Sequence, residues 1–414
     1  MIELKNNIIF HIDVNNAFLS WTAVYLLENG EKEDIRTIPS IIGGDEKSRH
    51  GIVLAKSPVA KKYKIVTAET IYSAKKKCPT LKIFPPNYHW YQEKSQELMN
   101  YLRNYSPTLE QLSIDECFLD MTGMEYIYKD FIKLAYQIKE EIKEKFKYTV
   151  NVGIANNRLC AKMASDFEKP DKVHTLFQNE IVTKLWPKDL EHLFMCGKKT
   201  QESLNQMGIL TIGDLARVEK STLEKQFKSQ GTYLYYASRG IEEKRIESPK
   251  NKNQSISTTE TLLFDSSDQD YLKDILFRQT EELTKELREK KLYVKTIGVI
   301  WKNNKFISYS AQNSLITPTN NTKEIIKTVY NVFDENYKED EIRLIGVRLS
   351  NLTSVKKEKI QISIFDEEKE ELEEEDESIQ KTMDEINKKF GKSIIKPASL
   401  KLIEKRRETL KKTN

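Results

Sequence analysis

Apolar residues alternate with other residues at the start of the chain, and this spacing predicts a β-strand over residues 8–14. Beyond Phe18 the apolar positions recur at helical spacing as far as Leu27. Asp13 is therefore expected near the end of a strand and directly before a helix, on the face that also carries His11. Catalytic side chains are often displayed at such ends.

The pattern farther along predicts an α+β unit. The predicted order is helix 90–104, an apolar run with an acidic pair, helix 125–147, strand 148–155 and helix 156–167. Pro170 would stop the last helix, because proline cannot continue the helical hydrogen bonds. We expect the segment at about 17–85 to be an insertion into this unit.

A second α+β unit is predicted farther along the chain. Residues 180–245 read as mainly helical, and the polar stretch IESPKNKNQ that follows them predicts a linker. The predicted elements after it are strand 255–263, helix 269–290, strands 293–301 and 305–311, helix 322–336 and strand 342–350. This βαββαβ order is the ferredoxin-like arrangement.

Two adjacent carboxylates, Asp115 and Glu116, interrupt the apolar run LEQLSIDECFLDMT. Neighbouring side chains in a regular strand point to opposite faces, so both acids can serve one site only where the chain turns. A tight turn between strands at 109–113 and 117–121 would let both face Asp13. Carboxylate oxygens suit hard cations such as Mg²⁺. From these residues alone, an ordinary polar turn is the simpler interpretation.

Charge is distributed unevenly along the 414 residues. The formal net charge is +4, yet residues 366–377 (DEEKEELEEEDE) alone carry −9, which leaves +13 on the rest. A basic body with an acidic segment near one end is typical of proteins that bind polyanions. With 38% hydrophobic residues, a chain of this length predicts roughly two to four domains.

Cysteine and histidine spacings argue against a structural zinc site or a disulfide framework. The four cysteines form no CxxC pair, and the five histidines form no HExxH. The N-terminus lacks the apolar core of a signal peptide, and no apolar run reaches membrane-spanning length. The sequence therefore predicts a soluble intracellular protein in a reducing compartment.

Three longer motifs occur in order: HIDVNNAFLSW, LSIDECFLD and VGIANNRLCAKMASDFEKPD. Together they resemble the Y-family DNA polymerases, the translesion enzymes of the DNA polymerase IV and UmuC type, over about residues 1–355. The resemblance implies a multidomain α+β right-hand fold with a C-terminal ferredoxin-like little finger. The implied limits are palm 1–16 and 86–178, fingers 17–85, thumb 179–246, linker 247–254, little finger 255–355 and tail 356–414.

The resemblance also implies roles around the acidic pair. Asp13, Asp115 and Glu116, with the backbone carbonyl of Val14, would hold two Mg²⁺ ions, for which Mn²⁺ can substitute. Two such ions about 4 Å apart hold the attacking and leaving oxygens of a phosphoryl transfer. Phe18 would be the aromatic steric gate beneath the incoming sugar. Without the resemblance, Phe18 reads equally well as an ordinary core aromatic.

Of the residues expected near the triphosphate, one matches the pattern of the resembled family and two depart from it. Lys169, in FEKPD, matches a lysine that reaches the triphosphate, although alone it reads as a solvated lysine. Pro58 and Lys61 stand where many relatives have a tyrosine and an arginine. Proline has no N–H to donate, and lysine is a point charge rather than a bidentate fork. We expect Lys61 to keep the charge and Ser57 to supply a hydroxyl.

A segment of the implied thumb, MCGKKTQESLNQMGI, resembles a helix-hairpin-helix. In such a hairpin, backbone N–H groups at a helix N-terminus meet a DNA phosphate. Gly197 and Gly208 fit the pattern, and Lys198 and Lys199 are candidate DNA contacts, whereas Met195 replaces the usual first glycine. A plain helical connector is the alternative.

The last predicted strand, IRLIGVRLSNL, alternates basic and apolar residues. Alternation would place Ile342 on the face of Arg348 and Arg343 on the opposite face. One face would pack on helices, and the other would lie along the DNA backbone. Arg343 and Arg348 are therefore candidate DNA contacts, with ordinary surface arginines as the alternative.

The segment after the implied little finger, EKIQISIFDEE, resembles the bacterial sliding-clamp-binding motif. Its matching residues are Gln361, Ser363, Ile364 and Phe365. An extended peptide of this kind can place an aliphatic–aromatic pair in an apolar pocket. Its position beside an acidic segment favours a tether, and a chance β-prone stretch is the alternative.

These features predict a template-dependent DNA polymerase of low fidelity that works in translesion synthesis and DNA repair. Its partners would be primer–template DNA, deoxynucleoside triphosphates and the bacterial sliding clamp. It would act as a monomer in the bacterial cytoplasm, at the nucleoid when bound to DNA. Two alternatives stay open: a catalytically silent, clamp-bound adaptor of the same fold, and a nucleotide cyclase with a similar palm. The adaptor should lack a carboxylate, and the cyclase should lack the hairpin module, the little finger and the tail motif.

Overall fold

The computed structural model describes residues 7–44, 51–242, 246, 255–338 and 340–354, together with scattered positions between 379 and 398. The chain divides into two units, residues 1–250 and residues 251–414. The predicted clamp motif, the acidic run and the predicted linker at 247–254 lie outside the described residues. Within the described part, no helix is both long and apolar enough to span a membrane.

Unit 1 is built from two sheets and their surrounding helices. Its strands are β1 (Ile9–Val14), β2 (Ser40–Gly43), β3 (Val53–Lys56), β4 (Lys82–Phe84), β5 (Leu109–Gln111), β6 (Glu116–Asp120), β7 (Val150–Ala155) and β8 (Val173–Leu176). Its helices are α1 (Ala17–Glu28), α2 (Pro58–Lys62), α3 (Ile71–Lys77), α4 (Tyr88–Leu102), α5 (Phe131–Phe146), α6 (Arg158–Ser165), α7 (Lys198–Gln206), α8 (Ile212–Ala216), α9 (Lys220–Phe227) and α10 (Ser229–Ala237). Short 3₁₀ and π turns cover Gln178–Glu180, Ile181–Leu185 and Leu190–His192.

The main sheet of unit 1 has the order β5-β6-β1-β7-β8, with β1 at its centre. Strand β1 runs antiparallel to both β6 and β7, while β7 and β8 are parallel. Both faces of β1 are buried: Phe10 packs in the core with α4 and α5, and Ile9 packs in the core with α6. A strand covered on both faces is rigid, so side chains at its end are held in place.

Helix α6 lies unusually close to the sheet because of Gly153 on β7. A Cβ atom at Gly153 would lie 2.0 Å from the backbone oxygen of Ala161, so only glycine permits this approach. The first turn of α6 is capped: Asn157 Oδ1 accepts from the N–H of Cys160 at 2.8 Å, and Glu242 Oε2 accepts from that of Leu159 at 2.8 Å. The helix is thereby held against the sheet, and Lys162 farther along α6 reaches Asp13 at the end of β1.

The helix predicted over residues 125–147 starts later in the structure, where α5 begins at Phe131. Residues 121–130 form turns instead, in which the N–H of Tyr128 donates to the carbonyl of Met124 at 2.9 Å. Asp130 then caps the helix by accepting from the N–H of Lys133 at 2.9 Å. A side-chain oxygen that binds a first-turn N–H marks a helix start, and Asp130 sets the start of α5 in this way.

The segment at 17–85 contains the small sheet, in the order β3-β2-β4. It has a core of its own, formed by apolar residues of this sheet and of α2 and α3, such as Ile41, Val53 and Ala74. Within the predicted helical region 180–245, residues 198–237 contain the helices α7 to α10, and Leu204 and Leu223 are buried in the core that also contains α6. The insertion and the helical region predicted from the sequence are therefore observed as elements, while their exact domain limits stay predictions.

Unit 2 has the predicted βαββαβ order. Its elements are β9 (Ser255–Ser266), α11 (Gln269–Glu289), β10 (Tyr293–Asn303), β11 (Ser308–Thr319), α12 (Thr322–Asn336) and β12 (Ile342–Thr353). The strands form an antiparallel sheet in the order β11-β10-β12-β9. The core lies between this sheet and the two helices.

The expected faces of β12 are correct except at its start. Ile345 and Leu349 are buried in the core, and Arg348 is exposed on the other face, as alternation requires. Ile342 is also fully buried, although it was expected on the face of Arg348. Lys302 of β10 pairs with Leu344 and Asn303 pairs with Ile342, so β12 has one extra residue there, and this bulge returns Ile342 to the core face.

Candidate active site

Asp13 and Glu116 lie side by side at the end of the main sheet. They are direct partners in the antiparallel pairing of β1 with β6. Asp115 directly precedes Glu116, in the hairpin turn, where its carbonyl accepts from the N–H of Val14 at 3.0 Å. The hairpin between β5 and β6 is therefore as predicted, with one correction: Glu116 is the first residue of β6, and only Asp115 lies in the turn.

Two lysines reach into this acidic group. Lys162 of α6 places its Nζ 2.5 Å from Glu116 Oε2 and 3.4 Å from Asp13 Oδ2. Lys169 places its Nζ 3.0 Å from Asp13 Oδ1 and 2.7 Å from Asp166 Oδ1. Lys162 is only 12% exposed, whereas Lys169 is 36% exposed at its side chain. Lys169 was predicted from the sequence, and Lys162 was missed.

His11 supports the site from the interior of the sheet. It is fully buried, with Nδ1 2.8 Å from the Ser165 hydroxyl. Its Nε2 lies 3.1 Å from Glu116 Oε2, a close contact without good hydrogen-bond alignment. Burial lowers the pKa of His11, which favours the neutral ring.

The surroundings of the two adjacent acids shift their pKa values in opposite directions. Burial works to raise the pKa of Glu116, but nearby His11 and Lys162 outweigh it and hold this pKa at about 2. The pKa of Asp115 is raised, chiefly by burial and also by the negative charges of Asp13 and Glu116. Burial thus disfavours the negative charge of Asp115, and an added cation would relieve that cost.

The donor set suits a hard cation, but its oxygens do not yet surround a common point. Among the described residues, no group of three His, Cys, Asp or Glu side chains is arranged to hold a metal ion. The reason is local: the Ser113 hydroxyl binds Asp115 Oδ1 at 2.6 Å, and the lysines bind the other two carboxylates. Three adjacent carboxylates fit Mg²⁺ chemically, provided that these side chains turn away from their present partners.

Phe18, in the first turn of α1, is held by an aromatic group. Its ring stacks on Tyr91 with centroids 4.7 Å apart and planes within 10°, and Tyr88 meets it edge-on. Asn16, which precedes the helix, has a left-handed backbone (φ 51°) and donates to the carbonyl of Lys56 at 2.8 Å. The turn after Asp13 is thereby joined to β3, and Phe18 is only partly buried.

The predicted triphosphate residues at the start of α2 differ in exposure. Ser57 is fully buried: its hydroxyl donates to the carbonyl of Ile38 at 2.7 Å and accepts from the N–H of Ala60 at 2.9 Å. These bonds make Ser57 the N-cap of α2 and favour a structural role, so its contact with a triphosphate stays a prediction. Lys61 is exposed on the same helix.

The segment around α7 has a glycine cap and two residues with left-handed backbone, while its contact with DNA stays a prediction. Gly197 is the N-cap of α7, and Lys198 and Lys199 form its first turn. Gly208 has φ 78°, and Met195 has φ 62°. Met195 therefore keeps the left-handed conformation that glycine usually supplies, at some steric cost and with its side chain 64% exposed.

The two candidate arginines of β12 have different surroundings. Arg343 lies over the ring of Phe306, 4.8 Å from its centroid, and 3.8 Å from Asp265. Arg348 is exposed on the sheet face away from the helices. Arg348 is thus the more accessible of the two to a ligand on that open face.

Family models match most of the chain in three segments. The model described as the impB/mucB/samB family matches residues 12–166, and the C-terminal domain model of the same family matches residues 253–364. A model described as DNA polymerase-iota, thumb domain, matches residues 195–242. The matched segments contain the acidic site, the helix-hairpin-helix and β12.

Curated relatives and a solved structure extend these matches. DNA polymerase IV of Clostridium acetobutylicum is 44% identical, over 94% of this chain and 97% of the relative. DNA polymerase IV of Alkaliphilus oremlandii is 35% identical, over 95% of this chain and 99% of the relative. A solved Y-family DNA polymerase chimera matches with a TM-score of 0.71 at 23% identity, over 83% of this chain and 98% of that chain. The last likeness supports the fold alone.

Proposed function

The chain belongs to the Y-family of DNA polymerases, and from its acidic site we propose that it adds deoxynucleotides to a primer 3′-hydroxyl by two-metal phosphoryl transfer. Membership makes it a DNA-directed polymerase of the translesion type, and the predicted α+β right-hand fold is confirmed. The observation that carries the mechanism is the pairing of Asp13 with Glu116, next to Asp115. These three acids would be the catalytic carboxylates.

The proposed metal ligands are Asp13, Asp115, Glu116 and the backbone carbonyl of Val14. Bound Mg²⁺ would supply positive charge to the oxygens that gain negative charge during the transfer. Because Lys162 contacts both Asp13 and Glu116, metal binding requires its ammonium group to shift. We propose that Lys162 keeps these carboxylates together by charge until the substrate complex forms.

DNA would be held by elements other than those that carry the acids. The N-terminus of α7 offers backbone N–H groups at Gly197, Lys198 and Lys199 for a phosphate, and two lysine charges beside them. On β12 we propose Arg348, and secondarily Arg343, as DNA contacts. The predicted monomeric state and the action at the bacterial nucleoid stay predictions.

Primer extension tests the proposed function directly. The full-length protein with primer–template DNA, Mg²⁺ and all four deoxynucleoside triphosphates is expected to lengthen the primer according to the template. No extension with either Mg²⁺ or Mn²⁺, despite normal DNA binding, would favour the catalytically silent adaptor instead. That alternative lacks present support, because all three carboxylates are retained in the chain.

Replacing Lys169 or Lys61 with alanine is expected to weaken nucleotide binding much more than DNA binding. A hydrogen bond to a charged group contributes about 1.5–3 kcal/mol, so the apparent nucleotide KM should rise by roughly ten- to a hundredfold. Lys172→Ala is the matched control, because Lys172 is an exposed lysine near Lys169 whose nearest carboxylate is Glu168 at 3.7 Å. A KM unchanged in Lys61→Ala would make Lys61 a surface lysine without this role.

We propose that Gln361, Ser363, Ile364 and Phe365 tether the enzyme to a sliding clamp. The support is the motif itself and its position after β12, since these residues lie outside the described part of the chain. A tether raises the effective concentration of the enzyme at the primer end, so rebinding outruns escape. Enclosing Ile364 and Phe365 would contribute roughly 1.5–3 kcal/mol each.

The double variant Ile364→Ala, Phe365→Ala is expected to extend primers normally without a clamp and to lose stimulation by the clamp. The measurement is a pair of extension assays, with and without the bacterial clamp. Ile360→Ala, which shortens an apolar residue just outside the motif, serves as the control. Equal stimulation of the parent and the double variant would show that the motif is a chance match.

A further inference from the structure

The segment 51–84 has a charge composition that the proposed active site does not account for. It contains eight lysines and one acidic residue, Glu69. Glu69 is already neutralised, because Lys77 Nζ lies 2.6 Å from its carboxylate and Ser73 donates to it at 2.9 Å. The surface around α2 and α3 therefore carries a strong positive charge with little compensation from its own segment.

Exposed aromatic rings accompany these lysines. Tyr63 is 44% exposed and Tyr72 is 64% exposed, and Lys76 Nζ lies 4.5 Å from the centre of the Tyr72 ring. Lys77 also donates to the carbonyl of Lys64 at 2.9 Å, which ties the turn after α2 to helix α3. We call Lys62, Tyr63, Lys64, Tyr72 and Lys76 together the lysine–tyrosine surface. It belongs to one small, well-packed module rather than to separate loops.

We propose that the lysine–tyrosine surface binds the unpaired template strand ahead of the active site. Lysines can neutralise successive phosphates, while exposed tyrosine rings stack on bases of any sequence. A duplex hides its base faces, and an acidic peptide offers no flat rings, so single-stranded DNA fits both features best. This inference rests on the proposed polymerase function and adds a partner surface to it.

The test compares two primer–template substrates, one with a 5′ template overhang of a single nucleotide and one with an overhang of about ten nucleotides, near the site size of single-strand binders. Binding to the full-length protein is measured by fluorescence anisotropy at several salt concentrations. The variants are Tyr72→Ala and the triple variant Lys62→Gln, Lys64→Gln, Lys76→Gln. The matched control is Tyr126→Ala with Lys129→Gln and Lys133→Gln, all exposed positions at or just before α5.

The parent and the control are expected to bind the long overhang on the order of tenfold more tightly than the short one, and Tyr72→Ala to lose most of this preference. The triple variant should lower the log–log salt slope for the long overhang by about 2. Extension on the short overhang should stay unchanged in both variants. Thermal melting and circular dichroism confirm that each variant is folded.

Three results would overturn the inference: no overhang preference in the parent, an equal preference in the folded variants, or displacement of the overhang by an acidic peptide at equal charge. The last result would make the surface a protein-binding site. Failure of the proposed function looks different, because the parent would then extend neither substrate. If the parent extends primers but shows no overhang preference, only the proposed role of the lysine–tyrosine surface is disproved.

Discussion

Asp115→Ala and Glu116→Ala are expected to reduce nucleotide addition by at least about 10³-fold, with primer–template affinity almost unchanged. Each change removes a proposed ligand of Mg²⁺. The positive charge of Mg²⁺ would otherwise stabilise the negative charge that develops during the transfer. The proposed DNA contacts on α7 and β12 lie on other elements, so DNA binding should survive. Single-turnover extension and a DNA-binding titration measure the two effects separately.

The two variants should differ in stability, which gives a second readout. Glu116 is the closest partner of Lys162, so Glu116→Ala leaves a mostly buried ammonium group short of its main counter-charge. Asp115 instead binds Ser113 and carries a carboxylate that burial disfavours. We expect Glu116→Ala to melt several degrees below the parent and Asp115→Ala to melt near it. Equal melting of both would argue against Lys162 as the charge partner of Glu116.

Asp120→Ala is the control for both acids. Asp120 lies at the far end of the same strand, opposite Ile9, and its carboxylate accepts from the N–H of Thr122 at 3.0 Å. It is expected to extend primers at close to the parental rate. Near-normal extension by Asp115→Ala in a folded protein would remove Asp115 from the proposed catalytic group.

The sequence predicts those parts of the site in which an acid stands at a recognisable place in a local pattern, such as a strand end or a turn. Asp13 lies near the end of an alternating strand and before a helix, and Asp115 breaks an apolar run at a turn, so both could be placed from the sequence. The pairing of Asp13 with Glu116 depends on strand register, which no local pattern specifies. The sequence did not predict that pairing, and the family resemblance implied only that Asp13, Asp115 and Glu116 share a metal site.

Lys162 shows why the rest could not be predicted. It sits in α6 between the buried residues Ala161 and Met163, where a lysine reads as an ordinary helical position. Its role depends on the close approach of α6 to β7, which Gly153 permits across the fold. A lysine flanked by small and apolar residues, on a helix that follows a glycine-containing strand, was the available signal. The predicted face of Ile342 was wrong for a similar reason, because the sequence IRLIGVRL gives no clear sign of a bulge.

Phe18→Ala is expected to raise ribonucleotide incorporation by about 10–100-fold relative to deoxynucleotide incorporation. A rigid ring beneath the sugar excludes the 2′-hydroxyl by volume, and overpacking costs about 1–3 kcal/mol. The ring is rigid here because it stacks on Tyr91, which is itself fully buried and hydrogen-bonded to Thr22 at 2.6 Å. The measurement is the ratio of kcat/KM for each ribonucleotide to that for its deoxynucleotide.

Three further variants separate the volume of the ring from its support. Phe18→Tyr keeps the ring and should keep the discrimination, whereas Phe18→Leu should lose part of it. Tyr91→Phe preserves the stack and removes only the bond to Thr22, so discrimination should fall slightly or not at all. If Phe18→Ala leaves the ribonucleotide ratio unchanged while deoxynucleotide addition stays efficient, the ring is only a core aromatic. If Tyr91→Phe alone abolishes discrimination, the gate depends on the hydrogen bond beneath Phe18 rather than on the volume of its ring.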